Sequence, residues 1–401
     1  MADAPEPIPS RPRVALRATA FFALSFVMSA NGNVLPQQFF QRHAPTQKAI
    51  WLASCLLLGT VTATFAVWRA RRGRSTRGPM LGMLAATLLA EAALFTLHDP
   101  VAYLVLNAVA VFGANTLTNH VDLTASARAG TARRGLHDAV SNLARLVGIL
   151  TAPWFFTRHL APAPSVFAAL AGAGALGALA VGVTFSSRPH GDARAPEGEG
   201  TSRVALTTRD RLLAGYALAL YVSLYLLAAN ILYLLRDVVR LPDAEPRGGV
   251  TISLVFLSAL STNALAAWLR VRRGRVELSP ASLAAPAFVL VGAAGALRAG
   301  VVHAPGPVLA GSVVLGLSYG FFLAEVREWC SRGAREEGKT ALLTLFNNMT
   351  NLSSLVAFGT MLSLALAARQ LGRPVFGPLL GIIGFLPAVA LSALWAATRR
   401  R

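Results

Sequence analysis

The sequence predicts an all-α membrane protein of about twelve transmembrane helices arranged as two pseudo-symmetric six-helix bundles. Three observations carry that expectation. The chain is 54% hydrophobic and only 14% charged over 401 residues, with a mean hydropathy of +0.54, too apolar for a soluble fold with one or two cores. Its apolar residues fall in runs near twenty, the length that crosses about 30 Å of hydrocarbon as a helix. Two loops, Arg69-Ala70-Arg71-Arg72-Gly73-Arg74 and Arg270-Val271-Arg272-Arg273-Gly274-Arg275, repeat the pattern R-x-R-R-G-R, each after a long apolar run.

The apolar runs place twelve spans at 15–40, 47–68, 78–97, 101–124, 137–157, 164–186, 211–235, 248–269, 281–302, 305–326, 340–368 and 375–397. The third and fourth are parted only by the turn His98-Asp99-Pro100. The N-terminal stretch lacks a signal-peptide pattern, and the first apolar run is too long for one, so it is expected to remain as the first span.

A net charge of +19 in a soluble chain would point to nucleic acid, but here the cations lie in the connections between apolar runs. Of the 37 Lys and Arg, 27 fall on the side that holds both termini and 8 on the other. The asymmetry predicts cytoplasmic termini and a multi-pass protein of the cell (inner or plasma) membrane. The cations then belong to a protein of the lipid bilayer and imply no nucleic acid.

The longest polar connection, rich in Gly, Pro and mixed charge, divides the chain into an N-terminal bundle at 1–187, a cytoplasmic linker at 188–210 and a C-terminal bundle at 211–401. The halves correspond at more than the arginine loops. Asp122 and Glu325 lie near the same end of the fourth span of each half, and Ser141-Asn142-Leu143 matches Thr350-Asn351-Leu352 in the fifth. Ala30-Asn31 matches Ala229-Asn230 in the first. Six spans return the chain to its starting side, so the two repeats are parallel and a central site at the midplane is expected.

With these features the whole chain resembles the major facilitator superfamily. The family's loop between spans 2 and 3 reads approximately G-x-x-x-D-R-x-G-R-R; the R-x-G-R core is present twice, but Ala70 and Val271 stand at the aspartate position. The resemblance implies a monomeric secondary transporter that moves a small-molecule substrate by alternating access, with spans 1, 4, 7 and 10 lining its cavity. It also implies a gate in which Asp122 meets Arg71 or Arg74, and Glu325 meets Arg272 or Arg275.

Polar groups inside spans are functional candidates because hydrocarbon penalises them by several kcal/mol. Ser25, Ser29, Asn33 and Gln37 form one stripe on the first span, and Asn107, Asn115, Asn119 and Asp122 another on the fourth. Tyr216, Ser223 and Asn230 follow at spacing seven on the seventh. Each stripe reads either as cavity lining or as helix-to-helix hydrogen bonding. Arg145, deep in the fifth span with Asn142 on its face, suits an anionic substrate group, or else a buried pair with Glu91. Asn347 and Asn351 on the eleventh span complete the substrate candidates. Glu91, His120 and Asp122 are the groups of the right type for proton coupling, which is itself an implication of the family.

No cofactor or metal is expected, since Cys55 and Cys330 have no ligand spacing around them. Gly316-Leu317-Ser318-Tyr319-Gly320 satisfies the G-x-S-x-G pattern of a hydrolase elbow, but it sits in an apolar helical run where glycines more often serve packing, and no enzyme is expected. The sequence thus predicts an exporter of a small polar, anionic solute, with a siderophore or similar metabolite as one substrate that an amide-rich cavity would suit. The alternative is a sensor or assembly factor on the same scaffold that does not transport.

Overall fold

The computed structural model describes residues 45–72, 76–96, 99–128, 164–185, 206–241, 244–273, 279–336 and 340–399, with a few positions between 15 and 24 and Val147. The described residues form helices and no strand. In chain order the helices are α1 (Pro45–Arg72), α2 (Arg77–Thr96), α3 (Pro100–Arg128), α4 (Pro164–Thr184), α5 (Thr208–Tyr233), α6 (Ala244–Arg273), α7 (Pro280–Arg298), α8 (Pro305–Glu336), α9 (Thr340–Leu371) and α10 (Phe376–Arg399). A π-helical turn at Leu234–Val238 continues α5.

Among the described residues nine helices are long and apolar enough to cross a bilayer; α6 contributes the shorter apolar stretch Val250–Thr262. Ten of the twelve expected spans are therefore represented by helices. The first and fifth lie almost wholly outside the described residues. Five of the helices open on proline, whose fixed φ and missing N–H suit the first helical position. Gly300 and Gly372 close α7 and α9 with φ of 65° and 59°, a conformation that glycine adopts without a Cβ penalty.

The chain separates into two compact units: residues 1–43 with 54–194, and 44–53 with 195–401. In the first, α2 packs against α3 and α4. A Cβ at Gly113 would collide with Thr87, and one at Gly174 or Gly177 with Leu88 or Leu84, so small residues on α3 and α4 set how closely α2 approaches. Leu24, Met80, Leu84, Leu117, Val181 and Phe185 form a core beneath that contact. Arg77, the first residue of α2, donates through Nη2 to Gly182 O at 2.7 Å and through Nε to Phe185 O at 3.2 Å, capping the C-terminal carbonyls of α4.

In the second unit the most extensive contact joins α6 to α8, followed by α5 with α10, α7 with α10 and α5 with α9. A Cβ on Gly316 would meet Val255 O and Ser258, and one on Gly320 would meet Ala259 O and Thr262. The G-x-S-x-G stretch thus lies within α8 as a packing seam, and Ser318 Oγ donates to Leu315 O at 2.8 Å within its own helix. Thr207 and Asp210 open α5 with a reciprocal capping box, each side chain accepting from the other's backbone N–H at 3.2 and 2.9 Å.

Candidate functional site

In the first unit, α1, α2 and α3 bring four polar side chains into the interior. Cys55, Glu91 and Tyr103 are each 1% exposed and Asn107 is 4% exposed. Asn107 Nδ2 donates to Cys55 Sγ at 3.2 Å, and its Oδ1 has no hydrogen-bond partner among the described residues. Tyr103 and Asn107 are one helical turn apart on α3, and Tyr103 lies within electrostatic reach of both Cys55 and Glu91. Glu91 is therefore a buried carboxyl group near the Tyr103 ring. The sequence named Glu91 and Asn107 but did not join them to Tyr103 and Cys55; the i, i+4 spacing of Tyr103 and Asn107 was the available signal.

Asn115, half-buried, donates to Val111 O at 2.8 Å. Asn119, His120 and Asp122 follow on α3, and Arg71 on α1; their side chains lie outside the described residues. Arg74, Asn33, Gln37, Asn142 and Arg145 also lie outside them.

In the second unit, the spacing-seven stripe of α5 is buried among the described helices. Tyr216, Ser223 and Asn230 are 0%, 0% and 1% exposed. The Tyr216 hydroxyl donates to Leu283 O on α7, and Asn230 Nδ2 donates to Leu226 O at 2.8 Å and to Met361 Sδ on α9 at 3.4 Å. The physical reason is the spacing itself: a period of seven keeps side chains on the seam between packed helices. Asn230 thus holds α5 to α9 in this conformation.

Another face of α5 carries an aromatic group that sequence reasoning missed. Tyr221 and Tyr225 stack with ring centroids 6.4 Å apart. Tyr319 on α8 meets Tyr221 edge-on at 5.8 Å, and Phe358 on α9 meets Tyr225 at 6.1 Å. Tyr221 and Tyr225 are partly exposed, whereas Tyr319 is buried and its hydroxyl has no hydrogen-bond partner among the described residues. Rings in this arrangement offer both a π-face and polar tips to a ligand. Two tyrosines four residues apart on a span that the family resemblance places at the cavity were the overlooked signal.

Glu325 on α8 has partners the sequence did not foresee. It is 9% exposed, and its Oε2 accepts from Ser279 N at 3.2 Å and from the Ser282 hydroxyl. Ser279 caps α7, accepting from Ser282 N at 3.0 Å. The carboxylate therefore sits at the positive end of the α7 dipole. Arg272, on α6, has a side chain outside the described residues, as have Asn347 and Asn351 on α9, and Arg275 lies outside them altogether. Nearby on α8, burial pushes the Cys330 thiol up to about 12 from its ordinary 9.0, with the charge of Asp210 acting in the same direction.

The architecture is that of the major facilitator superfamily of membrane transporters: the chain has the fold of that superfamily, over nearly its whole length. The nucleoside transporter NupG is similar with a TM-score of 0.65 and 11% identity, over 96% of this chain and 99% of that one. A bacterial homolog of the human lysosomal transporter Spinster, in an inward-facing and occupied conformation, has a TM-score of 0.62 and 14% identity over 98% of each chain. A POT family transporter in complex with 5-aminolevulinic acid has a TM-score of 0.65 and 12% identity, over 96% of this chain and 95% of that one. No protein-family model and no curated protein sequence matches.

Proposed function

We propose that the protein is a secondary transporter that moves a small polar, anionic solute across the cell membrane by alternating access. The observation that carries the proposal is the likeness in fold, over nearly the whole chain, to three solved transporters. Arg145 supplies the fixed positive charge for the anion. Asn33, Gln37, Asn115, Asn119, Asn142, Asn347 and Asn351 offer hydrogen bonds to the remainder. The partly exposed Tyr221 and Tyr225 provide a surface for the apolar or ring-bearing part of the solute.

Export is the proposed direction, with siderophore-like metabolites as one class to assay and protons as the coupling ion. Glu91 is the proposed proton site, as a carboxyl group buried within the span α2. His120 and Asp122 are the other proposed coupling groups. Arg71 and Arg74 with Asp122, and Arg272 and Arg275 with Glu325, are proposed to bias the cytoplasmic gate, Glu325 acting through the start of α7 as well. Both termini and the linker at 188–210 would face the cytoplasm, and the unit of transport would be the monomer.

Counterflow in proteoliposomes tests this reading. Solute-dependent exchange that is lost in Arg145→Ala and in Tyr221→Ala, with both variants correctly inserted, is the expected outcome. Saturable binding without flux under any solute or proton gradient would instead establish the sensor reading.

A further inference from the structure

Within the second unit, α5, α6, α7 and α8 enclose a cavity of about 400 Å³, within the range of about 300–1,000 Å³ typical of small-molecule sites. Its lining runs from four helix ends on one side of the membrane, the end of α5 (Leu234, Leu235), the start of α6 (Ile252), the end of α7 (Ala296) and the start of α8 (Val308), to the middle of α5 (Leu224) and of α7 (Val289). That is the side on which α5 leads into α6 and α7 into α8.

The wall offers a polar solute no free donor. Its two hydroxyl groups are engaged within their own helices, Thr251 Oγ1 donating to Arg247 O and Ser312 Oγ to Val308 O, each at 2.7 Å. The rest of the lining is hydrocarbon, glycine and proline. Two lining residues, Phe256 and Val314, are 38% and 50% exposed, so the cavity reaches the surface where a spanning helix meets acyl chains.

A cavity forms here because α8 changes partners along its length. At Gly316 and Gly320 a Cβ would strike α6, but at Gly311, and at Gly292 on α7, it would meet nothing within 4 Å. Cations stand at the head of two of the lining helices. Arg298, exposed in the last turn of α7, follows the lining residue Leu297, and Arg247 precedes the lining residue Thr251 by one turn on α6.

We propose that this cavity holds one acyl chain of an anionic phospholipid from the adjacent leaflet, with Arg247 and Arg298 meeting its phosphate. The wall excludes a polar occupant, the opening faces hydrocarbon, and the flanking charges complement a phosphodiester. This assignment rests on the membrane placement and not on transport.

The test uses the full chain in phosphatidylethanolamine vesicles containing traces of phosphatidylglycerol with a diazirine midway along one acyl chain. After irradiation, mass spectrometry should find label concentrated at Phe256, Ala293 and 311–315. Gly311→Leu, which projects side-chain carbons into the cavity, should lower that label about tenfold while leaving label on the exposed Phe385 of α10 unchanged. If Gly311→Leu does not insert, Gly292→Leu serves the same purpose. Label spread evenly over the membrane face, or undiminished in the variant, overturns the site. Equal cavity label from phosphatidylcholine carrying the same diazirine overturns the preference for an anionic lipid, and undiminished label from phosphatidylglycerol with Arg247→Ala and Arg298→Ala together overturns the role of the arginines.

Discussion

Two glycines on one helix should respond to the same substitution in opposite directions. At an unconstrained helical position Gly→Ala is worth about 0.8–1.0 kcal/mol of stabilisation, from backbone entropy alone. Gly311 is such a position, because an added Cβ meets nothing within 4 Å. At Gly320 the same atom would overlap Ala259 O and the Thr262 hydroxyl. Thr262 cannot simply turn away, since its Oγ1 already donates to Ser258 O at 2.8 Å. The helices must therefore separate along their longest contact, and overpacking of that kind costs about 1–3 kcal/mol. Relative to Gly311→Ala, Gly320→Ala should accordingly be less stable by about 1–3 kcal/mol, because the entropy gain is common to both. Thermal melting of the purified variants in one detergent, followed by tryptophan fluorescence and by size-exclusion survival, measures the difference. The expected order of midpoints is Gly311→Ala, wild type, Gly320→Ala. Equal midpoints for the two variants, or a higher one for Gly320→Ala, would refute the claim that the α6–α8 distance is set by those glycines.

Glu325→Gln keeps an acceptor for Ser279 and Ser282 but removes the charge at the α7 N-terminus, so a loss of about 1 kcal/mol is expected, rising to about 2 in Glu325→Ala, where both donors lose their partner. Melting midpoints ordered wild type, Gln, Ala support this, and a Gln variant as stable as the wild type would show that the charge contributes nothing. Cys330 should resist maleimide at pH 8: with its pKa at about 12 rather than 9.0, the thiolate fraction is about a thousandfold lower than for an ordinary cysteine. Labelling should rise about tenfold for each pH unit above 8 in the folded protein; a plateau near pH 9 would contradict the burial of the thiol.

Fold class was legible because membrane spanning imposes long apolar runs, and the ten described helices begin within a few residues of runs chosen from the sequence. Their start signals were legible too, as at Pro100, Pro164, Pro280 and Pro305. What the sequence could not distinguish was the face of a helix that meets a neighbouring helix from one that meets a cavity. Tyr216, Ser223 and Asn230 share a stripe as tidy as any cavity lining, and yet each is buried. Glu325 illustrates a second limit. The family resemblance pairs it with Arg272 or Arg275, whereas its described partners are Ser279 and Ser282 at the start of α7. The Tyr221, Tyr225, Tyr319 and Phe358 group depends on three helices at once, so only tertiary structure assembles it.

The π-helical turn after α5 determines how deep that helix sits in the bilayer. In the widened turn Val239 N donates to Leu234 O at 2.8 Å, five residues back. Two consecutive leucines, Leu234 and Leu235, are both inside it at 0% and 1% exposure. The very next pair, Arg236 and Asp237, forms an ion pair at 2.8 Å with exposures of 40% and 28%. A regular helix passes from apolar to charged gradually around its circumference; here the change is complete within one step of the chain. Just before it, two cations approach the Tyr233 ring, with Lys48 Nζ 5.0 Å and the Arg236 guanidinium 5.6 Å from its centroid. An aromatic ring, its cations and an ion pair gathered at one level form an anchor at the boundary between hydrocarbon and headgroups. Sliding α5 inward by one turn would drag Arg236 and Asp237 into hydrocarbon, and sliding it outward would strand the two leucines in water. The helix can tilt about that level far more easily than it can move through it.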